Sequence, residues 1–175
     1  RLGAPVLRPR GPSAAGEAVA VQDADAAPRD VIEALLDFDN CGEVSFLVSR
    51  CDVYERTALG AGAERIKVRT GVTALPGFRL DVYFDHKVDY GRHLILSSLD
   101  RERRSDVEDY RASWQVVPHP TLPNASRIFT SLGLRLGGAV PAALYPPLLR
   151  SALARGLAVA KARGERLAAA RHQLA

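Results

Sequence analysis

The sequence predicts an α+β fold in which a curved antiparallel sheet of seven strands wraps around one long C-terminal helix. Residues 141–172 carry helical periodicity, and the stretch before them alternates apolar and polar side chains almost throughout. The breaks in that alternation are short and rich in Gly, Pro and Asn, which suits hairpins; parallel strands would need longer crossovers.

Taken in order, residues 1–16 hold three Arg and no acid among Pro, Gly and Ser, which predicts a flexible arm. The same composition fits the tail of an organellar transit peptide. Residues 17–25 alternate and predict the first strand. Pro28 then opens a helix running to Asp37, with Val31, Ile32, Leu35 and Leu36 on its apolar face. A second helical turn is expected over 41–47, and six strands come after it at 49–57, 65–75, 77–89, 92–99, 107–117 and 126–136.

Alternation assigns faces to these strands. Ile66, Val68, Thr70 and Val72 are expected to share one apolar surface with Leu80, Val82, Phe84, Leu94 and Leu96. Tyr110, Ala112, Trp114 and Val116, and then Ile128, Thr130, Leu132 and Leu134, extend it. On the final helix Tyr145, Leu149, Ala152, Leu153, Gly156, Ala160 and Leu167 form the stripe that covers this surface. Pro146-Pro147 either kink its first turn or mark its start. Ala152, Gly156 and Ala160 leave room in the stripe, to be filled by bulky side chains of a closely packed sheet or by a ligand.

Composition narrows the function. With 175 residues, 47% hydrophobic and 25% charged, the chain can bury a real core. Its apolar runs fall far short of the roughly 20 residues that span a bilayer. The net charge of +4 is spread thinly among acids, so no nucleic-acid partner is expected. Cys41 and Cys51 lack a nearby His, so no metal site is expected, and both are read as reduced thiols in an intracellular compartment. No phosphate-cradling loop or catalytic triad is evident, and neither a catalytic residue nor a cofactor is assigned. His86 shares parity with Leu80, Val82 and Phe84, but the charges around it suggest a half-exposed position at the strand's end. His93, His119 and His172 are not placed for chemistry, and residues 100–106 read as a solvated hairpin tip.

Several stretches carry a family likeness. Ala26-Ala27-Pro28 with Val31, and then Leu35-Leu36-Asp37-Phe38-Asp39-Asn40, resemble the "AP..V...L.DYDN" opening of the polyketide cyclase/dehydrase and coenzyme Q-binding branch of the START-like (SRPBCC) superfamily. Phe46 to Val53 resembles that branch's passage into its second strand, with Leu47 standing where Pro is usual. Asp106 to Trp114 resembles its "gdF..feGsW" strand, with Ala112 in place of Gly, and Pro141 to Leu149 resembles its helix start.

The likeness covers roughly residues 17–170 and is nearest to plastid-type members. It implies the helix-grip fold and a cavity between sheet and helix that binds a hydrophobic small molecule, a lipid or prenylquinone, to carry or chaperone it in an organelle. A chloroplast is favoured over a mitochondrion. The lining is then expected from Val68, Leu80, Val82, Phe84, Leu96, Tyr110, Trp114, Leu132, Leu149, Leu153 and Gly156. Peripheral membrane contact and protein partners are compatible with this reading. Two rival functions remain open, an accessory subunit of a larger organellar complex and a polyketide cyclase or dehydratase.

Overall fold

The computed structural model describes residues 6–9, 16–43, 48–75, 78–136 and 145–174. All seven expected strands are present in one antiparallel sheet, and an eighth joins its edge. The strands are β1 (Val6–Pro9), β2 (Gly16–Ala24), β3 (Val48–Gly60), β4 (Ala63–Leu75), β5 (Phe78–Asp89), β6 (Leu94–Leu99), β7 (Asp109–Pro118) and β8 (Ser126–Arg135). Helix α1 (Pro28–Leu35) and a 3-10 turn (Phe38–Glu43) link β2 to β3, and α2 (Tyr145–Leu174) closes the chain. The sheet order is β1-β2-β8-β7-β6-β5-β4-β3. The meander from β3 to β8 therefore ends beside β2, and the α1 connection is the one long jump.

The extra strand lies inside the expected flexible arm, where Val6↔Val21 and Pro9↔Ala18 pair across β1 and β2. The arm's other residues, apart from Gly16 in β2, lie outside the described residues, as do 44–47 of the expected second helical turn and 141–144 of the expected last helix. The thiols also differ from expectation: Cys41 and Cys51 form a disulfide with a Cα–Cα distance of 6.1 Å. It pins the 3-10 turn to β3, a pairing that ten residues of separation permit. A core of this size needs no staple, but that says nothing about whether one forms.

Helix α1 begins with Pro28 in its first turn, where a missing N–H costs nothing, and Arg29 supports it through an ion pair to Glu33 one turn on. Val31 and Ile32 are fully buried against α2. The fit depends on Gly164, because a Cβ there would come within 2.9 Å of Val31 Cγ2 and 3.3 Å of its Cα. Ion pairs of Arg171 with Asp30 and Glu33, and of Arg163 with Asp37, fasten the two helices together.

The buried stripe of α2 is rotated from the expected one. Leu149, Leu153, Gly156, Leu157, Ala160, Arg163 and Gly164 face inward, whereas Ala152 and Leu167 are exposed. The side chain of Tyr145 lies outside those described. An alanine-rich helix has weak hydrophobic contrast, so its facing is set by the shape it meets more than by its own pattern.

Residues 101–104 and 106 are exposed, as a solvated tip requires, but the base of the tip is tied down. Asp100 is buried, accepts a 2.6 Å hydrogen bond from Tyr54 Oη and faces the buried Lys67 at 3.5 Å. Lys67 also pairs with Glu55 and Glu102, so the connection folds back onto the sheet's outer surface.

Candidate functional site

Register shows which side chains the inner face of the sheet carries. Val72↔Leu80, Thr70↔Val82, Val68↔Phe84 and Ile66↔His86 are direct partners, followed by Phe84↔Leu99, His86↔Ser97 and Val88↔Ile95. Ile95↔Trp114 and Ser97↔Ala112 continue the row, and then Tyr110↔Leu134, Ala112↔Leu132, Trp114↔Thr130 and Val116↔Ile128. The inward residues of β6 are thus Ile95, Ser97 and Leu99. Leu94 and Leu96 belong to the other face, and Leu96 is 46% exposed. The segment Leu94–Leu99 reads LILSSL, with apolar side chains at both parities, so alternation alone misassigns it. Leu96 instead lines an open hollow of about 600 Å³ on the outer side of the sheet, with Asp85, Lys87, Arg111 and a 2.7 Å Ser113–Ser131 hydroxyl pair around it.

The inner face has two ends of different character. Toward α1, Ile66, Val88, Ile95, Val116 and Ile128 are buried against Val31, Ile32, Leu157 and Ala160 in one continuous core. Toward the other end, Val72, Leu80, Phe84, Tyr110 and Leu136 point inward yet remain only partly buried, packed around Val82, Leu99 and Val107. Leu134, across from Tyr110, is partly buried as well.

The remaining expected lining residues divide between these ends and the middle. Val68, Val82, Leu132, Leu149 and Leu153 are buried, while Leu80, Phe84, Tyr110 and Trp114 are half-buried on the inner face. Gly156 decides between the two ways of filling the small-residue stripe. A Cβ there would lie 3.2 Å from Trp114 Cη2, so the tryptophan ring occupies the space that the glycine leaves. At that level sheet and helix are closely packed, and any vacancy lies nearer the open end.

Two titratable groups stand within this apolar interior. His86 is half-buried but faces inward: its Nδ1 lies 2.7 Å from Ser97 Oγ, and its ring is flanked by Phe38 and Phe84 at centroid distances of 5.4 and 5.8 Å. Burial lowers its pKa to about 4, so the imidazole is neutral at physiological pH. Tyr110 packs on the other side of Phe84 at 4.6 Å, and burial pushes its phenol up to about 12. Strand parity places His86 inward, and the charges that suggest exposure, Asp85 and Lys87, project from the opposite face. Ser97 escapes sequence reasoning because the face of β6 is inverted there.

The other histidines do no comparable work. His119 is held among Asp23, Arg127 and the backbone N–H groups of Thr121 and Leu122, and the Arg127 guanidinium keeps the Asp23 carboxyl below its ordinary pKa. Among the described residues no group of His, Cys, Asp and Glu is arranged to hold a metal ion, and no helix is long and apolar enough to cross a membrane.

No family model matches the chain, and no curated protein matches its sequence. Its architecture does match solved structures. A START superfamily protein from Mycobacterium smegmatis superposes with a TM-score of 0.69 at 15% identity, covering 86% of this chain and 98% of that one. The human StarD13 lipid transfer and protein localization domain gives 0.67 at 12% identity, over 92% and 84% of the two chains. The Zhui aromatase/cyclase of a Streptomyces species gives 0.61 at 16% identity, over 92% and 95%. The chain therefore has the START-type helix-grip fold. The coenzyme Q-binding and plastid features of the sequence likeness have no counterpart in these matches.

Proposed function

We propose that this protein binds a hydrophobic small molecule, a lipid or prenylquinone, between the inner face of the sheet and α2, and carries or chaperones it. One observation carries the reading. Inward-pointing Leu80, Phe84, Tyr110, Leu134 and Leu136 stay partly uncovered at one end of a face whose strand residues at the other end, Ile66, Val88, Ile95, Val116 and Ile128, are buried. Apolar side chains directed into a fold and left uncovered gain about 25 cal/mol for each Å² that a ligand removes from water. A molecule with a long apolar body would gain most. The structural likeness to START proteins, one of them a lipid transfer domain, supports the same reading.

A second reading, a cyclase or dehydratase, is favoured by the inward placement of His86 and by the likeness to an aromatase/cyclase. We rank it below carriage because the inner face supplies a neutral imidazole and an un-ionised phenol, with no charged partner beside either among the described residues to assist proton transfer. The disulfide removes the sequence argument for a reducing compartment. Residence in an organelle, a chloroplast first, rests on the family likeness and the Arg-rich residues 1–16.

Native mass spectrometry of the protein isolated from its own cells tests the carrier reading. A co-purifying lipid or quinone of defined mass, released on denaturation, is the expected result. A chain that is always empty, or that travels only in a fixed ratio with protein partners, would sink it in favour of the accessory-subunit role.

A further inference from the structure

The proposed ligand site contains a polar feature that carriage of a plain hydrocarbon would not need. Ser97 is buried, and the His86 ring nitrogen at 2.7 Å is its hydroxyl's hydrogen-bond partner among the described residues. A buried hydroxyl proton without an acceptor is costly, so Ser97 donates to His86 Nδ1. That bond fixes the tautomer. The ring proton must then sit on Nε2, the other nitrogen, for which the described residues supply no acceptor. A neutral histidine held in this way is a donor toward whatever occupies the space beside it.

The surroundings select the kind of acceptor. Phe38 and Phe84 flank the imidazole, and Tyr110 on the far side of Phe84 has a phenolic hydroxyl with no partner among the described residues. Asp85 and Lys87 point to the opposite face of β5, so no charge on that strand competes for the donor. The groups facing His86 from neighbouring strands are Ile66, Ser97 and, next along β7, Ala112. A carboxylate or phosphate would enter this setting without a counter-ion and with its hydration stripped. A neutral oxygen acceptor attached to an apolar body costs far less to bury.

On the carrier reading, we infer that the ligand is a hydrophobic molecule bearing a carbonyl oxygen, which accepts a hydrogen bond from His86 Nε2, with Tyr110 Oη as a second donor near the open end. Ser97 is a positioning residue in this arrangement, because it acts only by holding the tautomer.

Two measurements test it. Side-chain ¹⁵N chemical shifts of His86 in the ligand-free protein should show the Nε2–H tautomer near neutral pH; an Nδ1–H tautomer would overturn the inference without any ligand being known. For binding, Trp114 is the sole tryptophan and lies on the inner face, so its emission can follow titration with 2-tridecanone and with 2-methyl-1-tridecene, in which a methylene replaces the carbonyl oxygen. Wild type should prefer the ketone by about three- to tenfold, the range expected of one buried hydrogen bond. His86→Leu should bind both at the wild-type hydrocarbon affinity, and Ser97→Ala should keep only part of the preference. Equal affinity of wild type for the two probes would refute the carbonyl site while leaving the carrier intact. Binding of neither probe would count against both.

Discussion

The two ends of the inner sheet face are built from the same strands, yet they solve different problems. At the α1 end, large β-branched residues from five strands meet two helices, and Ile66, Val88, Ile95, Val116 and Ile128 are all buried. At the other end the inward residues are leucines, a valine and aromatics whose covering is incomplete. The first end holds the fold together, and the second leaves apolar surface for something else. The difference lies in the helices: α1 and the α2 residues Leu149, Leu153, Leu157 and Ala160 all join the core of the sealed end, whereas no described helix residue joins the cluster at the open one.

Truncation should expose this contrast most strongly. Ile128→Ala at the sealed end removes atoms from a fully buried position and should cost about 2–5 kcal/mol by denaturant unfolding. Leu80→Ala at the open end should cost roughly 1 kcal/mol or less, since its side chain is already part-exposed, and should weaken retention of a hydrophobic ligand instead. Comparable stability losses at both positions would erase the distinction.

The two buried glycines of α2 sharpen it further. Gly164→Ala drives a methyl against the side chain and the backbone of Val31, and should destabilise by about 1–2 kcal/mol even after the gain in helix propensity. Gly156→Ala presses at 3.2 Å on the Trp114 ring, which can tilt, so the propensity gain should nearly offset the strain and leave stability within about 1 kcal/mol of wild type. A bulkier Leu at 156 must displace the ring and should change Trp114 emission. Thermal unfolding of the paired alanine variants measures the first effect, and fluorescence of the leucine variant the second.

Stability should also respond to pH. The folded-state pKa of His86 is depressed to about 4 from an ordinary value near 6.5, so between those values the unfolded chain binds a proton that the folded chain does not. Stability should therefore fall as pH drops through that window, and His86→Leu should flatten the slope there. Loss below it belongs to carboxylates such as Asp23 and Asp81, whose pKa values are lowered by their arginine partners Arg127 and Arg69.

Architecture is legible in the sequence because it rests on repeated signals: alternation in six successive segments, short turns between them, and one long helix. Individual facing is legible only where polar and apolar residues truly alternate, as in β5 and β7. In Leu94–Leu99 they do not, and one inverted strand moves Leu96 into the expected site and hides Ser97. The strand Val6–Pro9 escapes notice because Arg and Pro on a sheet edge resemble disorder in composition. The role of Gly156 depends on the ring of Trp114, which is distant in sequence and brought beneath the helix by sheet pairing that no local pattern encodes.

Methyl NMR on addition of 2-tridecanone tests the central claim most directly, because leucine and isoleucine probes mark the open end, the sealed core and the outer hollow. Shifts concentrated at Leu80, Leu134 and Leu136, with Ile128 of the sealed core and Leu96 of the outer hollow unmoved, are the expected result. Shifts centred on Leu96, or none at the open end, would contradict a ligand site between the sheet and α2.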